Sequence, residues 1–384
     1  MRILHVVPTY LPAKRYGGPI QSVHGLARAQ HRLGSDVHVF TTNVDGDGTS
    51  SVPLEEPVPL EGVQVSYFPV PTARRLYWSP RMTRALGREV PTFDIVHLHS
   101  VFLLPTSTAS RIARRRGVPY VLSPRGMLVP DLIRGRSFVV KKSWINLFEK
   151  SNIRHAAAVH FTSDVELDDF NKLGLQCTRT AVIPNGVELP PAKASSSNVA
   201  ANVTRLPYVL FLGRLTWKKR VDALIKAMSQ VPDTALVIAG NDDESLQPQL
   251  ARLAEECGVG GRVHFIGFVD GEAKWALLRG ASVFALPSRS ENFGIAVLEA
   301  MGAGCPVIVT PEVGLSPVVQ EVEAGIVVGG EPHQLGQAIK GLMDAPERRV
   351  KMGNAGKAAA LKSFSWDAIA VQMEKLYLDC VRGE

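Results

Sequence analysis

Ser288 to Pro306 reads SRSENFGIAVLEAMGAGCP, and its signals come in the order strand end, loop, helix, strand. Leu286-Pro287 closes a short apolar run, Glu291-Asn292-Phe293-Gly294 reads as a loop, and apolar residues at helical spacing run from Ile295 to Ala303. Gly304 then stops the helix before the next apolar run, Pro306–Thr310. This is one turn of a parallel α/β unit, with its loop at the carboxyl edge of the sheet. The free N–H groups around Gly294 and Ile295 open a helix there and suit a diphosphate.

The same alternation extends through all 384 residues. In the first half, strands are expected at Arg2–Val7, Asp36–Thr41, Val63–Phe68, Asp94–His99, Val118–Ser123 and Ala156–Thr162. Helical patterns lie between them, such as Ile20 to Leu33 stopped by Gly34 and Thr106 to Arg116 stopped by Gly117. In the second half, strands are expected at Tyr208–Gly213, Ala235–Gly240, Val263–Gly267, Ser282–Leu286, Pro306–Thr310 and Ile326–Val328. Helices follow from about His333 to Ser363, and a last one from Trp366 to about Val381 carries Ile369, Met373, Leu376 and Tyr377 on one face, with Ser365 as its cap. The intervening LPPAKASSSNVAANVTR has no helical or strand period and reads as a linker. The expected organisation is therefore residues 1–189 as one domain, 190–205 as linker and 206–365 as a second domain. The helix 366–384 crosses back to the first.

Composition fits a soluble globular enzyme: 45% apolar and 21% charged residues exclude wholesale disorder, collagen and coiled coil. The net charge of +7 divides into +9 over residues 1–185 and −2 over 186–384. The surplus clusters in Arg74, Arg75, Arg81, Arg84 and Arg88, in Arg111 and Arg114 to Arg116, and in Arg134, Arg136, Lys141 and Lys142. These are either solvated helix faces or, beside apolar Phe138, Val139, Val140, Trp144, Ile145, Leu147 and Phe148, a surface for anionic lipid headgroups or a lipid diphosphate. Cys177, Cys257, Cys305 and Cys380 form no CxxC pair, which points to a reducing compartment and no structural zinc. No run reaches the roughly 18 apolar residues of a membrane span, and MRILHVVPTYLP reads as a first strand rather than a signal segment, so the expected location is cytoplasmic.

Glu291 and Glu299 are eight residues apart, which over a helix separates their backbones by roughly 12 Å, beyond a glycosidase couple and suited to anchoring the two ends of an extended ligand. E-x7-E within SRSENFGIAVLEAMGAGCPVI resembles the signature of the family 4 glycosyltransferases, retaining enzymes of the GT-B fold, and the resemblance covers essentially the whole chain. It implies two Rossmann-like, doubly wound domains facing a central cleft. By that resemblance Glu291 contacts donor-sugar hydroxyls, Glu299 holds the ribose, the amides of Phe293, Gly294 and Ile295 bind the diphosphate, and Asn292 belongs to the same donor-binding set. In FLGRLTWKKR, Arg214 and Lys219 match the cations that neutralise the leaving diphosphate. Arg220 stands where the family has Gly, which leaves Lys218 open as the alternative register. Gly17 and Gly18 match the glycine loop near the donor phosphate and sugar, where a Cβ would obstruct the backbone. His99 in DIVHLHS matches the active-site histidine, acting through a hydroxyl hydrogen bond or by orienting a backbone carbonyl, whereas His97 reads as a core residue.

Arg125 in SPRGM stands where many relatives have histidine, and reads as an acceptor-side cation for a lipid-linked diphosphate or as half of a structural ion pair. Asn185-Gly186-Val187 resembles the family's hinge entrance. Asp45-Gly46-Asp47 lacks the context of a metal-binding D-x-D, and no G-x-G-x-x-G supports a nicotinamide site. The implied activity is retaining transfer of a hexosyl unit from a nucleotide-diphosphate sugar, UDP-glucose first and GDP-mannose next. The acceptor is a glycan or polyprenyl-diphosphate-linked glycan of exopolysaccharide or lipopolysaccharide synthesis. No metal or other cofactor is expected, and no nucleic-acid partner, since the second half is acidic and carries no recognition module. The rivals are a non-hydrolysing sugar-nucleotide epimerase of the same architecture and a nucleotide-sugar binding protein without turnover.

Overall fold

The computed structural model describes residues 1–13, 18–134, 138–188 and 203–383. The chain divides into two compact units, Met1–Gly186 with Trp366–Glu384, and Val187–Ser365. The second begins three residues before the expected linker, because Val187 N–H donates to the Phe364 carbonyl at 2.8 Å and so joins the chain leaving that unit. Residues 190–202, most of the expected linker, lie outside the described residues.

Unit 1 is built on an eight-stranded sheet in the spatial order Thr180–Val182, Ala158–Phe161, Tyr120–Ser123, Ile95–His99, Arg2–Thr9, Asp36–Thr42, Val63–Phe68, Pro57–Leu60. All neighbours are parallel except the last pair, an antiparallel hairpin at the edge. Strand residues alternate between two cores. Ile3, Val37, Val65, Ile95, Val121 and Ala158 face the helices Gly18–Arg32 and Trp366–Arg382, which supply Val23, Leu26, Ile369, Met373 and Tyr377. Leu4, Val6, Phe40, Val96, Leu122 and Phe161 face the opposite way, toward Met82 and Leu86 of Pro80–Glu89 and Ala109 and Ala113 of Leu104–Arg116.

Unit 2 is a fully parallel six-stranded sheet in the order Val263–Gly267, Ala235–Ala239, Tyr208–Leu212, Val283–Leu286, Val307–Val309, Gly325–Val327. Its central strands are buried along their whole length, as their unbroken apolar runs require. In both units the first strand is flanked by the second strand on one side and, on the other, by a strand reached after the chain crosses back. Strand order therefore reverses between Arg2–Thr9 and Ile95–His99, and between Tyr208–Leu212 and Val283–Leu286. In open α/β sheets, ligands bind outside the carboxyl ends of the strands at such points.

Candidate active site

In unit 2 the loops leaving the two switch-point strands are tied together, Arg289 N–H donating to the Lys218 carbonyl at 2.8 Å. The first loop is held from the other side by Leu215 N–H on the Asn241 carbonyl (2.7 Å) and Trp217 N–H on Glu244 Oε2 (3.0 Å). So constrained, Lys219 ends the single 3-10 turn Trp217–Lys219, and its Nζ donates to Glu291 Oε2. Lys218 instead lies over the Trp217 ring, 5.8 Å from its centroid, which places Lys219 in the site. Arg220 adopts φ 54°, left-handed backbone where the family resemblance expects glycine. Arg214, on the same loop, lies 3.6 Å from Asp243 and is exposed.

Lys219 and Glu291 side chains retain only 20% and 21% exposure. Burial, followed by the repulsion of Arg214 and Lys218, lowers the Lys219 ammonium to about 8. Glu291 is fixed by its backbone, its N–H donating to Glu312 and its carbonyl accepting from Gly314. It lies in extended chain ahead of the helix Ile295–Gly302, so the separation from Glu299 is not a helical rise. Gly294 caps that helix at φ 95°, with Val313 so close that an added Cβ would lie 3.0 Å from its Cγ1. Asn292 lies in the same loop, and the Phe293 side chain is buried in the core, so Phe293 offers only backbone to a ligand. In the first turn Val297 N–H donates to the Gly294 carbonyl at 2.9 Å, which leaves the N–H groups of Ile295 and Ala296 without a partner inside the helix. On the helix itself, Glu299 Oε1 accepts from Lys274 Nζ at 2.6 Å, a partner the sequence reading did not single out.

In unit 1, His5, His97, His99, Ser123 and His160 all occupy one face of adjacent strands, with His5 opposite His97 and His99 opposite Ser123. Two hydrogen-bond chains run through them. His160 Nε2 meets the Ile183 carbonyl at 2.8 Å, so it carries the proton and Nδ1 accepts from the Ser123 hydroxyl at 2.7 Å. Ser123 Oγ then accepts from His97 Nε2 at 2.6 Å, and His97 Nδ1 accepts from the Tyr377 hydroxyl at 2.5 Å. The second chain starts at Arg125, which donates to His99 Nδ1 at 3.2 Å. His99 Nε2 therefore donates to His5 Nδ1 at 2.9 Å, and His5 Nε2 to Gln30 Oε1 at 2.9 Å. Every ring is neutral and each tautomer is fixed from the end of its chain.

Burial first, and the Arg125 charge among the further causes, hold His5 down at about 4 and His160 at about 3, with His97 and His99 well below the usual value. His99 is 1% exposed with both ring nitrogens engaged, which suits the role of holding its backbone rather than touching a hydroxyl. The ring nitrogens of His5, His97 and His99 lie within 4.8 Å of one another, as a metal site would need. The hydrogen bonds just described occupy those nitrogens, and the Arg125 guanidinium sits against the group.

Gly18 opens its helix, its carbonyl accepting from the Ser22 hydroxyl at 2.8 Å, while Gly17 lies outside the described residues. Asp45-Gly46-Asp47 forms the tip of a two-stranded hairpin, Val44–Asp45 with Gly48–Thr49, braced by Arg74 on the Gly46 and Gly48 carbonyls. Several residues of the basic surplus are spent locally: Arg81 pairs with Glu55 and Arg88 with Glu89. Val139, Val140 and Leu147, by contrast, stand exposed around Lys142, whereas Arg136 lies outside the described residues.

A family model described as Glycosyl transferases group 1 matches residues 193–359, and one described as Glycosyl transferase 4-like domain matches residues 17–186. An uncharacterized glycosyltransferase of Methanocaldococcus jannaschii is 35% identical over 396 residues, covering 98% of each chain. The chain belongs to the family 4 glycosyltransferases. This family 4 glycosyltransferase is also 27% identical over 391 residues to a D-inositol 3-phosphate glycosyltransferase of Xylanimonas cellulosilytica, covering 95% of this chain and 92% of the relative. Its fold, GT-B, matches that of the Anabaena protein HepE in complex with UDP-glucose, with a TM-score of 0.75, 19% identity and 98% of both chains covered.

Proposed function

We propose that this glycosyltransferase transfers a hexosyl unit, with retention, from UDP-glucose to a glycan or polyprenyl-diphosphate-linked glycan in surface-polysaccharide synthesis. The observation that carries this reading is the Lys219–Glu291 pair beside the helix N-terminus at Gly294, at the switch point of unit 2. Breaking the sugar–phosphate bond builds negative charge on the diphosphate and positive charge at the anomeric carbon. Lys219, Arg214 and the first-turn amides after Gly294 are the groups suited to the diphosphate, and Glu291 to the sugar hydroxyls. Glu299, with Oε1 held by Lys274, is left with Oε2 for the ribose. With Glu291 assigned to the sugar hydroxyls and Glu299 to the ribose, no carboxylate is assigned to the anomeric carbon as a nucleophile, and this supports front-face transfer in which the leaving phosphate helps to deprotonate the acceptor. The similarity to HepE, solved with UDP-glucose, supports that donor ahead of GDP-mannose.

Two fixed cations do the charge work of a divalent ion, so the reaction is metal-independent: chelator leaves turnover intact, and activity abolished by chelator and restored by magnesium refutes it. The exposed Val139, Val140 and Leu147 around Lys142 support peripheral contact with an anionic membrane at its cytoplasmic face. No helix among the described residues is long and apolar enough to cross a membrane. A thermal-shift panel of nucleotide sugars tests the donor: UDP-glucose at 100 times its dissociation constant stabilises by about 2.7 kcal/mol. Stabilisation by GDP-mannose alone reverses the order of donors, and none by either refutes the reading.

A further inference from the structure

Arg125 follows strand Tyr120–Ser123 in a turn with two successive left-handed residues, Arg125 at φ 57° and Gly126 at φ 73°. The turn brings its side chain in over the carboxyl edge of the sheet, onto the buried histidines. There the guanidinium has two hydrogen-bond partners among the described residues, both neutral: Asn185 Oδ1 at 2.7 Å and His99 Nδ1 at 3.2 Å. Its Nε–H is shielded from solvent and bonded to nothing. The nearby acid, Glu166, is already committed elsewhere, to Gly126 N–H at 2.6 Å, Thr162 N–H at 2.8 Å and the Thr162 hydroxyl at 3.1 Å. Among the described residues no carboxylate forms an ion pair with Arg125, so the structural-ion-pair alternative is not met.

Glu166 acts on Arg125 only at a distance, and a shielded cation without a direct ion-pair partner is costly, so proteins retain one where a ligand supplies the contact. The surroundings are arranged to keep that charge in place. The neighbouring rings are neutral, and each points a lone pair or an N–H along a fixed chain, so none can shed or accept a proton to compensate Arg125. The guanidinium fork is pre-set by Asn185 and His99, leaving planar N–H donors of the kind that grip an oxyanion in bidentate fashion.

We infer that Arg125 is the anchor for a phosphoryl group carried by the acceptor substrate, so that the acceptor of this enzyme is a phosphorylated molecule. The inference rests on the proposed glycosyl transfer and on the sequence reading of Arg125 as an acceptor-side cation. It makes His99 and Asn185 positioning residues for Arg125.

The test is equilibrium dialysis of the full chain against radiolabelled orthophosphate. It compares the wild type, Arg125→Met, Arg125→Lys and the double variant Arg214→Met/Lys219→Met. Phosphate is expected to bind the wild type and the double variant, to bind Arg125→Met about tenfold or more weakly, and to bind Arg125→Lys with intermediate affinity. Geranyl diphosphate and glucose 6-phosphate are then added as competitors. Displacement by the first assigns the phosphoryl group to a lipid-borne acceptor and by the second to a sugar phosphate, and failure of both overturns the inference. It is also overturned if the wild type binds no phosphate, if Arg125→Met binds it as the wild type does, or if only the Arg214/Lys219 variant loses it. UDP binding by Arg125→Met, measured in parallel, shows that the variant is folded and checks the donor reading independently.

Discussion

The neutral histidine network makes the stability of unit 1 sensitive to mild acid. The folded-state pKa of His5 is about 4 and that of His160 about 3, while the unfolded chain takes up these protons near 6.5. Because the folded values are depressed, the unfolded state binds more protons as pH falls through 6.5, and stability drops from there until the folded rings themselves protonate near 4. Each such group contributes a slope of about 1.4 kcal/mol per pH unit, or roughly 2 kcal/mol between pH 7 and pH 5. His5 and His160 together give about 4 kcal/mol, and His97 and His99, lowered by the same burial, act in the same direction. Glu149, raised by burial, has the opposite sign and is a single group.

Hydrogen-exchange mass spectrometry at pH 7 and pH 5, corrected for intrinsic exchange, reads the effect for each unit separately. Protection of peptides covering Ile95–His99 is expected to fall by about three decades or more. The sheet of unit 2 has no fully buried histidine and serves as the internal control. His160→Gln retains an acceptor for Ser123 and a donor for Ile183 but does not titrate, so it should remove one group's share of the pH dependence. Unchanged protection in unit 1, or an equal loss in both units, refutes the argument that these rings are held neutral.

Lys219→Met should lower kcat/KM for the donor by roughly 30- to 1000-fold, the loss of about 2 to 4 kcal/mol of transition-state stabilisation, and wild-type turnover would mean that the cation is misassigned. In the wild type, kcat/KM should fall as pH rises through about 8, because the free-enzyme ammonium of Lys219 is lost there, and a profile flat to pH 9.5 would contradict this. Gly240→Ala places a Cβ 1.9 Å from the Gly213 carbonyl oxygen at φ 144°, so it should destabilise by at least about 3 kcal/mol, and an unchanged melting temperature would show that the two loops can part.

The strands of both sheets were legible because apolar runs bounded by Gly, Pro and Asp are what a buried parallel strand demands, and every expected strand lies within two residues of its observed bounds. The two that sequence reading missed lie at opposite edges of the first sheet. Pro57–Leu60 carries two prolines and Thr180–Val182 is three residues long and partly exposed, which edge positions tolerate and central ones do not. At the site, Lys219, Glu291 and Glu299 stood out by motif, but Lys274 did not. Its helix is about twenty residues upstream of the motif, and only the packing of Gly271–Gly280 beside Ile295–Gly302 brings its Nζ to Glu299. The histidine network did leave a trace. His5, His97, His99 and His160 sit at the same period-two phase as Ile3, Ile95 and Ala158, polar residues repeatedly placed where the core face requires apolar ones. The helix from Trp366 was expected to cross back to the first domain, but its apolar pattern does not assign Tyr377 to His97, 280 residues away.

The two units solve opposite electrostatic problems at the same topological position. In unit 2 the polar groups lie on loops beyond the strand ends, are partly solvated and are already charged, so Lys219 can exchange the Glu291 carboxylate for a ligand's phosphate without a bare ammonium being left behind. In unit 1 the polar groups lie within the strands themselves and are dry, so a charge among the rings would go unscreened, and neutral tautomers are the only low-energy arrangement. The one exception, Arg125, is carried in from a loop by left-handed backbone. A left-handed non-glycine residue costs on the order of 1 kcal/mol, and a shielded guanidinium costs more. Both are retained at one residue, which is reasonable only if the bound state returns more than the free state loses. Stability of the ligand-free protein and affinity for an anion should therefore move in opposite directions when Arg125 is replaced by an apolar residue of similar length.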